Sequence, residues 1–368
     1  MRFFVPHCLL ISLLAALLGS AAAQVTAAAP SQPLPLACGQ PAATIPVPRA
    51  LPAVVTGRVS FYAAEYHPTT LKPLRAAALG DVAAARPLAS LFKPLVVQAA
   101  LQDVDAGKLT LGTPLTTTAA NRSIENYPSG TNTLQVLARR AISLSDNTAS
   151  DILQLTYGPE RLARAVRSVS PCTSVLLTTK AWWAAQAGLA PDIFTAGAAV
   201  GARRYAAQPF EERLVTAAAL IAASQDVTGP VVERELDRYF HGPAYDAGME
   251  VDLQNTSTAQ AFTDLMARTL SGRNLKSRTR QVFRDMLATG CCRPGTPVLV
   301  SRYRAAKTGS GWGILNLTGY VETPDGRVFA YTYLNDRSVT NDAEDMEQQI
   351  RPVVLWTEQV LLALKDAR

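Results

Sequence analysis

The chain has 368 residues, enough for one large domain or two small ones. Hydrophobic residues make up 48% of it and charged residues only 17%, so a large buried core is possible. The formal net charge of +6 is spread along the chain, and no Lys/Arg run alternates with aromatic residues. This pattern argues against nucleic-acid binding.

The N-terminal residues 1–23 have the pattern of a secretory signal peptide. Arg2 supplies the positive charge, an apolar stretch follows, and Ala21-Ala22-Ala23 forms an A-x-A-like cleavage site. A retained membrane anchor is the alternative, but the apolar stretch is short for a membrane span and Pro6 interrupts it. We therefore expect export to the periplasm, the cell envelope or the medium.

Residues 24–50 are rich in Ala, Pro, Gln and Ser, which predicts an extended linker before a folded domain at 51–368. Export would put the mature chain in an oxidising compartment, where cysteines form disulfides. A bond between neighbouring cysteines would be strained, so we expect Cys172 to pair with Cys291 or Cys292, with free buried thiols as the alternative. The mature chain would retain four cysteines: Cys38, Cys172, Cys291 and Cys292.

Strand patterns lie near both ends of the folded region, and helical patterns lie between them. The predicted strands are 58–66, 74–79, 296–300 and 315–322 with 327–334, the last two forming a hairpin around Thr323-Pro324-Asp325-Gly326. Helices are predicted after Ser90 and at 133–144, 148–155, 160–166, 211–224, 258–270, 279–287 and 342–364. The predicted fold is α+β, an antiparallel sheet built from both termini and packed with helices, with an all-helical lobe inserted at about 89–294.

The first chemical motif is Ser90-x-x-Lys93, followed by an apolar run typical of a buried helix. Residues three apart on a helix share a face, so Lys93 would lie beside the Ser90 hydroxyl. A desolvated lysine can take the proton of a serine and make it a nucleophile. On its own, however, the pattern also fits a surface Ser and Lys that happen to be three apart.

Two further motifs follow in order, Ser145-Asp146-Asn147 and Lys307-Thr308-Gly309. Alone, the first would fit a helix cap and the second a turn or strand end. Together with Ser90-x-x-Lys93 they form the trio of the serine β-lactamases and penicillin-binding proteins. The sequence resembles that superfamily, class A β-lactamases most of all, over about residues 55–175 and 257–366.

The resemblance implies specific roles for these residues. It assigns Ser90 as nucleophile, Lys93 as its base, and Ser145, which would lie between Lys93 and Lys307, as the relay of a proton to the leaving nitrogen or oxygen. The backbone N–H groups of Ser90 and Ser310 would form the oxyanion hole. It implies catalytic roles for Ser90, Lys93, Ser145 and Lys307, and substrate binding by Asn147, Thr308, Gly309 and Ser310.

The chain departs from the class A pattern after its second motif. Class A enzymes carry a Glu-x-x-Leu-Asn loop whose glutamate activates the hydrolytic water, but residues 176–185 hold no acid. The partial matches, Glu211–Val215 and Glu250–Gln254, lie late, and we interpret both glutamates as solvated surface acids. The stretch at about 180–246 is predicted to be an insertion.

The sequence also lacks an arginine in Asn316-Leu317-Thr318, where many class A enzymes bind the substrate carboxylate. Arg302, Arg304 and Arg337 are possible substitutes. His67 and His241 have no ligand-like neighbours, so we interpret them as ordinary loop or surface residues and expect no metal and no cofactor.

The function that follows is an exported serine hydrolase that forms an acyl-enzyme on Ser90 with a β-lactam or a similar amide or ester. The alternatives are a D-alanyl peptidase or esterase of the penicillin-binding type, with slow β-lactam deacylation, and a non-catalytic binding module. We expect a monomer whose partner is a small-molecule or cell-wall peptide substrate.

Overall fold

A six-stranded sheet joins the beginning and the end of the folded region. The structure is a computed structural model and describes residues 38–39, 42–124, 127–292, 294–295 and 297–367. The strands are β1 (Ala43–Ile45), β2 (Arg58–Tyr66), β3 (Pro73–Leu79), β4 (Arg86–Pro87), β5 (Pro114–Thr116), β6 (Thr131–Thr133), β7 (Thr256–Ser257), β8 (Tyr303–Gly311), β9 (Ile314–Glu322) and β10 (Val328–Asp336).

The helices between and after these strands have the following bounds. They are α1 (Lys93–Asp105), α2 (Leu134–Ser143), α3 (Asn147–Tyr157), α4 (Pro159–Val169), α5 (Thr179–Gln186), α6 (Ala198–Ala207), α7 (Phe210–Gln225), α8 (Gly229–Phe240), α9 (Gly248–Leu253), α10 (Ala259–Leu270), α11 (Ser277–Ala288), α12 (Ala343–Glu347) and α13 (Ile350–Asp366). A 3₁₀ turn, Ala89–Phe92, precedes α1 directly.

The sheet has the strand order β1-β3-β2-β10-β9-β8. Strand β10 pairs antiparallel with β2, from Val328 opposite Tyr66 to Asp336 opposite Arg58, and this pairing joins the two ends of the chain. The predicted hairpin is confirmed, since β9 and β10 pair around a turn in which Gly326 has a φ of 84°. The predicted α+β fold with a sheet from both termini is therefore confirmed.

The two faces of the sheet bury different halves of the core because side chains alternate along a strand. In β2, Tyr62 and Tyr66 face the helical side, whereas Phe61 packs against α13 on the other face. The Phe61 and Trp356 rings meet edge to face at 4.6 Å. Helices α1 and α10 belong to the first cluster, and α1 is buried around most of its circumference.

The prediction of a linker over residues 24–50 is wrong for its last part. Strand β1 pairs in parallel with β3, Thr44 opposite Ala76, and so covers an edge of the sheet. The Trp356 indole donates a hydrogen bond of 3.0 Å to the Arg49 carbonyl. The predicted signal peptide, residues 1–23, and the linker up to residue 37 lie outside the described residues.

The predicted disulfide of Cys172 with Cys291 or Cys292 is wrong. Cys172 is bonded to Cys38, and Cys291 is bonded to its neighbour Cys292. Our prediction disfavoured a bond between neighbours as strained, but Cys292 adopts a left-handed backbone with a φ of 70° and its sulfur is bonded to that of Cys291. Because Cys291 and Cys292 pair with each other, Cys172 pairs with Cys38, a residue that the linker prediction placed in the extended segment.

The helical lobe contains the predicted helices and four that the sequence patterns did not reveal, α5, α6, α8 and α9. The predicted terminal helix is divided into α12 and α13. Among the described residues, no single helix is long and apolar enough to cross a membrane. Helices α7 and α8, bent at 112° to each other, reach that length and apolar composition only when they are taken together.

Candidate active site

The predicted nucleophile, Ser90, lies in the 3₁₀ turn between β4 and α1. This turn is held by a hydrogen bond of 2.8 Å from the Leu88 N–H to the Asn255 carbonyl. Within it, Ala89 has a left-handed backbone with a φ of 45°. A non-glycine residue with such a φ is costly and persists only where its surroundings hold it. The turn therefore presents Ser90, which is half-buried, in a fixed position one turn before Lys93.

Lys93 is fully buried at the start of α1 and reaches the second motif. Its Nζ donates to the Ser145 carbonyl, to Ser145 Oγ at 3.2 Å and to Asn147 Oδ1 at 2.6 Å. A buried ammonium needs such acceptors to offset the loss of water. The first two motifs are thus in direct contact, as the resemblance implied.

Ser145 is held in a left-handed backbone conformation, with a φ of 55°, immediately before α3. Asp146 caps that helix by accepting from the Ala149 N–H at 2.8 Å, and it also binds Arg140 Nε at 2.8 Å. Asp146 thus has a structural role here, because its cap fixes the turn that presents Ser145.

Lys307 reaches the same hydroxyl from the other side. It lies on β8 and is 1% exposed, and its Nζ donates to Ser145 Oγ at 2.8 Å and to the Thr308 carbonyl at 2.6 Å. Burial lowers the pKa of the Lys307 ammonium well below its ordinary value, the nearby Lys93 lowers it further, and Glu347 opposes both effects. Two buried lysines therefore share the Ser145 hydroxyl.

Gly309 brings β8 against the nucleophile. A Cβ at this position would lie 2.6 Å from the Ser90 backbone nitrogen and 3.0 Å from the Leu88 carbonyl oxygen. Only a residue without a side chain permits this approach. Thr308 lies beside the disulfide, with its Oγ1 3.3 Å from Cys291 Sγ.

A cavity of about 490 Å³, here called the active-site cavity, opens beside the nucleophile. Four of the predicted site residues line it, Ser90, Ser145, Asn147 and Ser310. The predicted insertion at 180–246 contributes a wall of the cavity. Its lining residues there are Trp182, Trp183, Glu233, Leu236, Asp237, Phe240 and His241.

Glu250 corrects an interpretation made from the sequence. It is 3% exposed and lines the active-site cavity, so it is not a solvated surface acid. Its carboxylate accepts from Gln186 Nε2 at 2.6 Å and from Gln254 Nε2. Burial raises the pKa of Glu250 to about 7, and the two amides partly offset that rise.

The sequence did contain a signal for this residue. Glu250-Val251-Asp252-Leu253-Gln254 differs from Glu-x-x-Leu-Asn only in its last amide, but the insertion displaces it along the chain. Glu211 behaves as predicted: it is exposed and pairs with Arg164 at 2.7 Å.

Two buried polar side chains fix the segment that leads into α5. Asn255 Oδ1 accepts from the Leu176 and Leu177 N–H groups at 2.8 and 3.2 Å. Asp151 accepts from the Thr179 and Lys180 N–H groups, both at 2.8 Å. Burial raises the pKa of Asp151 to about 6, and these backbone donors oppose the rise. These contacts fix the start of α5, which carries Trp182 into the cavity wall.

The three arginines considered as carboxylate ligands do not line the cavity. Arg302 forms an ion pair with Glu322, and Arg304 forms one with Glu358. Arg337 follows β10 directly and has a left-handed backbone. Among the described residues, the cavity wall thus has no arginine for a substrate carboxylate.

Comparison with known proteins agrees with this geometry. Residues 83–181 match the model of the Beta-lactamase enzyme family, and residues 299–360 match that of the D-Ala-D-Ala carboxypeptidase 3 (S13) family. These segments contain the first two motifs and the third motif, respectively. A comparison with curated proteins found no match.

Solved structures show the same fold at low identity. An ancestral class A β-lactamase, GNCA, is 19% identical with a TM-score of 0.51, covering 83% of this chain and 94% of its own. A β-lactamase from Burkholderia vietnamiensis is 17% identical with a TM-score of 0.53, covering 85% and 93%. PBP-A is 17% identical with a TM-score of 0.51, covering 84% and 91%.

The family matches support a serine hydrolase, and the fold is that of class A β-lactamases. The motifs, the family models and the fold agree, and the resemblance of the chain to the serine β-lactamase and penicillin-binding-protein superfamily is confirmed.

Proposed function

We propose that the chain is a serine hydrolase that forms an acyl-enzyme on Ser90 with a β-lactam or a similar amide or ester. One observation carries this proposal: Lys307 and Lys93, which follows Ser90 by three residues, are both buried and share the Ser145 hydroxyl. Burying two cations together is costly, and the burial favours the neutral form of a lysine. An acylating enzyme uses a neutral lysine as a base, whereas a binding module has no use for one.

Acylation follows from these contacts. Lys93 in its neutral form takes the proton of Ser90 Oγ as that oxygen attacks the carbonyl carbon. The backbone N–H groups of Ser90 and Ser310 stabilise the negative oxygen that develops. Ser145 then passes a proton from the lysines to the leaving nitrogen or oxygen as its bond to the carbonyl carbon breaks. Asn147 holds the side chain of the substrate.

Deacylation is assigned to Glu250. As a carboxylate it takes a proton from water, the water oxygen attacks the ester carbonyl, and Ser90 Oγ leaves and regains a proton. A pKa of about 7 suits a general base that works near neutral pH. Glu250 thus takes the role of activating the hydrolytic water, for which the sequence pattern offered no glutamate.

A second candidate is a D-alanyl peptidase or esterase of the penicillin-binding type that deacylates slowly from β-lactams. It is favoured by the two glutamine amides on Glu250, because a water must compete with them for the carboxylate. A PBP-A variant is known as an acyl-enzyme complex with penicillin G.

The test combines intact mass with turnover. The mature protein is incubated with a penicillin and a chromogenic cephalosporin, and both adduct and hydrolysis are followed. We expect an adduct on Ser90 that Ser90→Ala abolishes, whereas persistent labelling of Ser90→Ala would refute the nucleophile. Rapid turnover in the wild type with a long-lived adduct in Glu250→Gln supports the hydrolase; a long-lived adduct in both supports the second candidate.

We also propose that the chain is exported and acts as a monomer. The composition of residues 1–23 and the two disulfides support export. The mass of the secreted protein tests cleavage after residue 23, and an uncleaved chain retained in the cell would contradict it. Light scattering tests the monomer.

A further inference from the structure

The active-site cavity has a strongly negative lining. Lys93 and Lys307 lie behind Ser145 and are almost completely buried. Among the described lining residues, His241 is the only side chain that can carry a positive charge. Six lining residues are carboxylic acids: Glu233, Asp237, Glu250, Asp342, Glu344 and Glu347. Such a lining attracts a cation and repels a carboxylate.

Glu347 is in contact with the residue that would bind a substrate carboxylate. The Ser310 hydroxyl donates to Glu347 Oε1 at 2.6 Å. The Glu347 charge also acts on Lys307, since it opposes the lowering of the lysine pKa. The protein thus supplies its own carboxylate beside Ser310 and Lys307, where an anionic substrate would otherwise find its partners.

Aromatic rings form another part of the wall. Trp312 stacks on Phe240, with ring centroids 5.1 Å apart and an angle of 17° between the planes. His241 packs edge to face against the same indole at 4.8 Å. Trp183 lines the cavity as well. An indole face beside carboxylates is a favourable surface for an ammonium or guanidinium group.

A buried acceptor in the cavity lacks a donor. Gln254 lines the cavity and is 6% exposed, and its amide nitrogen is used by Glu250. Its Oε1 accepts no hydrogen bond from the part of the chain that the structure describes. Because buried polar atoms are nearly always paired, this oxygen is an acceptor for a water or for the N–H of an ammonium or guanidinium group that enters the cavity.

We propose that this site selects acyl substrates that carry a positively charged group, an alkylammonium or a guanidinium, and discriminates against acyl substrates with a free carboxylate. The inference rests on the proposed acyl-enzyme function of Ser90 and narrows it: a β-lactam carries a free carboxylate, so it acylates Ser90 more slowly than a cationic ester does. The carboxylates of α12 and α8 attract the cation, the Trp312 face contacts it, and Glu347 repels a substrate carboxylate.

Three activated esters of matched size test the selection. They are the p-nitrophenyl esters of trimethylammoniobutyrate, of its neutral tert-butyl isostere and of glutarate. We expect kcat/KM for the cationic ester to exceed that for the neutral ester about 10-fold and that for the glutarate ester about 100-fold. High salt should shrink both ratios, because it screens exposed charges. Equal rates for all three, or a preference for glutarate, would overturn the selection.

Variants assign the effect to the named residues. Replacing Glu344 and Glu347 together by Gln should reduce the ratio of cationic to glutarate ester about 10-fold. Glu212→Gln is the matched control, because Glu212 is exposed on α7 and does not line the cavity. An unchanged ratio in the double variant would contradict the role of these two carboxylates.

A binding measurement separates this inference from the proposed function. Ser90→Ala protein is titrated with the methyl esters of trimethylammoniobutyrate and of its tert-butyl isostere, with tryptophan fluorescence as the signal. Preferential binding of the cationic ester supports the selection, whether or not an ester labels Ser90 in the wild type. A lack of labelling would refute only the acyl-enzyme. Labelling of Ser90 without any preference for the cation would refute only the selection.

Discussion

The closest approach at the nucleophile is made by a backbone without a side chain, Gly309. A methyl group there would lie 2.6 Å from the Ser90 nitrogen, so Gly309→Ala must move either β8 or the turn that carries Ser90. A displacement of about 1 Å at reacting groups can cost about 100-fold in rate, and we expect acylation of Ser90 to fall by that order. Stopped-flow acylation with a chromogenic ester measures it.

The control for this variant lies two residues along the same strand. A Cβ on Gly311 would meet only Ile314 atoms, at 3.8 Å, which is an ordinary contact distance. Gly311→Ala should therefore acylate within a few-fold of the wild type. Equal rates for the two variants would show that the strand does not constrain the nucleophile.

Glu250 gives a prediction about stability and pH. Its pKa is about 7 in the folded protein and 4.5 as the ordinary value, so the folded state binds more protons between these values. Stability from this group is therefore full below about pH 4.5 and is lost as the pH rises to about 7. At 1.36 kcal/mol per pH unit the loss is about 3 kcal/mol.

Glu250→Gln removes the titration and retains an amide that can hydrogen-bond. The difference in unfolding free energy between the variant and the wild type should be small at low pH and should grow by about 3 kcal/mol in favour of the variant above pH 7. Urea denaturation of both proteins across this range measures it. A difference that does not change with pH would mean that the carboxyl is not perturbed by burial.

At the scale of elements, one residue, Asn255, joins the nucleophile turn to the segment before α5, because its backbone carbonyl accepts from the Leu88 N–H. Asn255 is 2% exposed and bonds the backbone of Leu176 and Leu177 on three sides, two as acceptor and one as donor at 3.0 Å. Asn255→Ala leaves these backbone groups buried without partners, at about 1–3 kcal/mol each. We expect a loss of about 3 kcal/mol in unfolding free energy and slower acylation.

Denaturant unfolding measures this loss. Asn274→Ala is the control, because Asn274 is exposed and outside this network. A surface substitution of that kind changes stability by about 0.5 kcal/mol or less. If Asn255→Ala unfolds like the control, the segment before α5 is held by other contacts.

Local sequence patterns predicted the elements whose signal is self-contained. The aromatic and β-branched character of β2, the turn before Arg327 and the helical patterns of α2, α7 and α10 each suffice alone. Helix α5 was missed because its tryptophans and alanines show no clear polar face, and its position depends on Asp151 and Asn255 in distant segments. Such long-range contacts cannot be inferred from spacing.

At the scale of the whole molecule, the site is made where β8, the edge strand of the sheet, meets the nucleophile turn and the helical lobe. The family resemblance implied that the three motifs come together: the structure joins Lys93, Ser145 and Lys307 in one hydrogen-bond network, and Ser90 lines the same cavity as Ser145. The acidic and aromatic wall was not predicted, since it comes from the insertion and from α12, which have no counterpart in the motifs. Glu250 was misjudged because exposure is a property of the fold and not of its own segment.

The disulfides provide the last prediction at this scale. The Cys38–Cys172 bond closes a loop with a sequence separation of 134, whereas Cys291 and Cys292 are neighbours. Because a crosslink over a long loop restricts the unfolded chain most, replacing Cys38 and Cys172 by Ser should lower the unfolding free energy by about 2–4 kcal/mol. Replacing Cys291 and Cys292 by Ser should have little effect through this mechanism.

Guanidinium unfolding of the two double variants compares them directly, and non-reducing peptide mapping identifies the bonds. A peptide linking Cys172 to Cys291 or Cys292 would contradict the observed pairing and restore the one expected from the sequence. With the observed pairing, a loss confined to the Cys38–Cys172 variant means that the segment before β1 is tied to the helical lobe. The N-terminal edge of the sheet and the lobe that carries the cavity wall would then unfold together, as one cooperative unit.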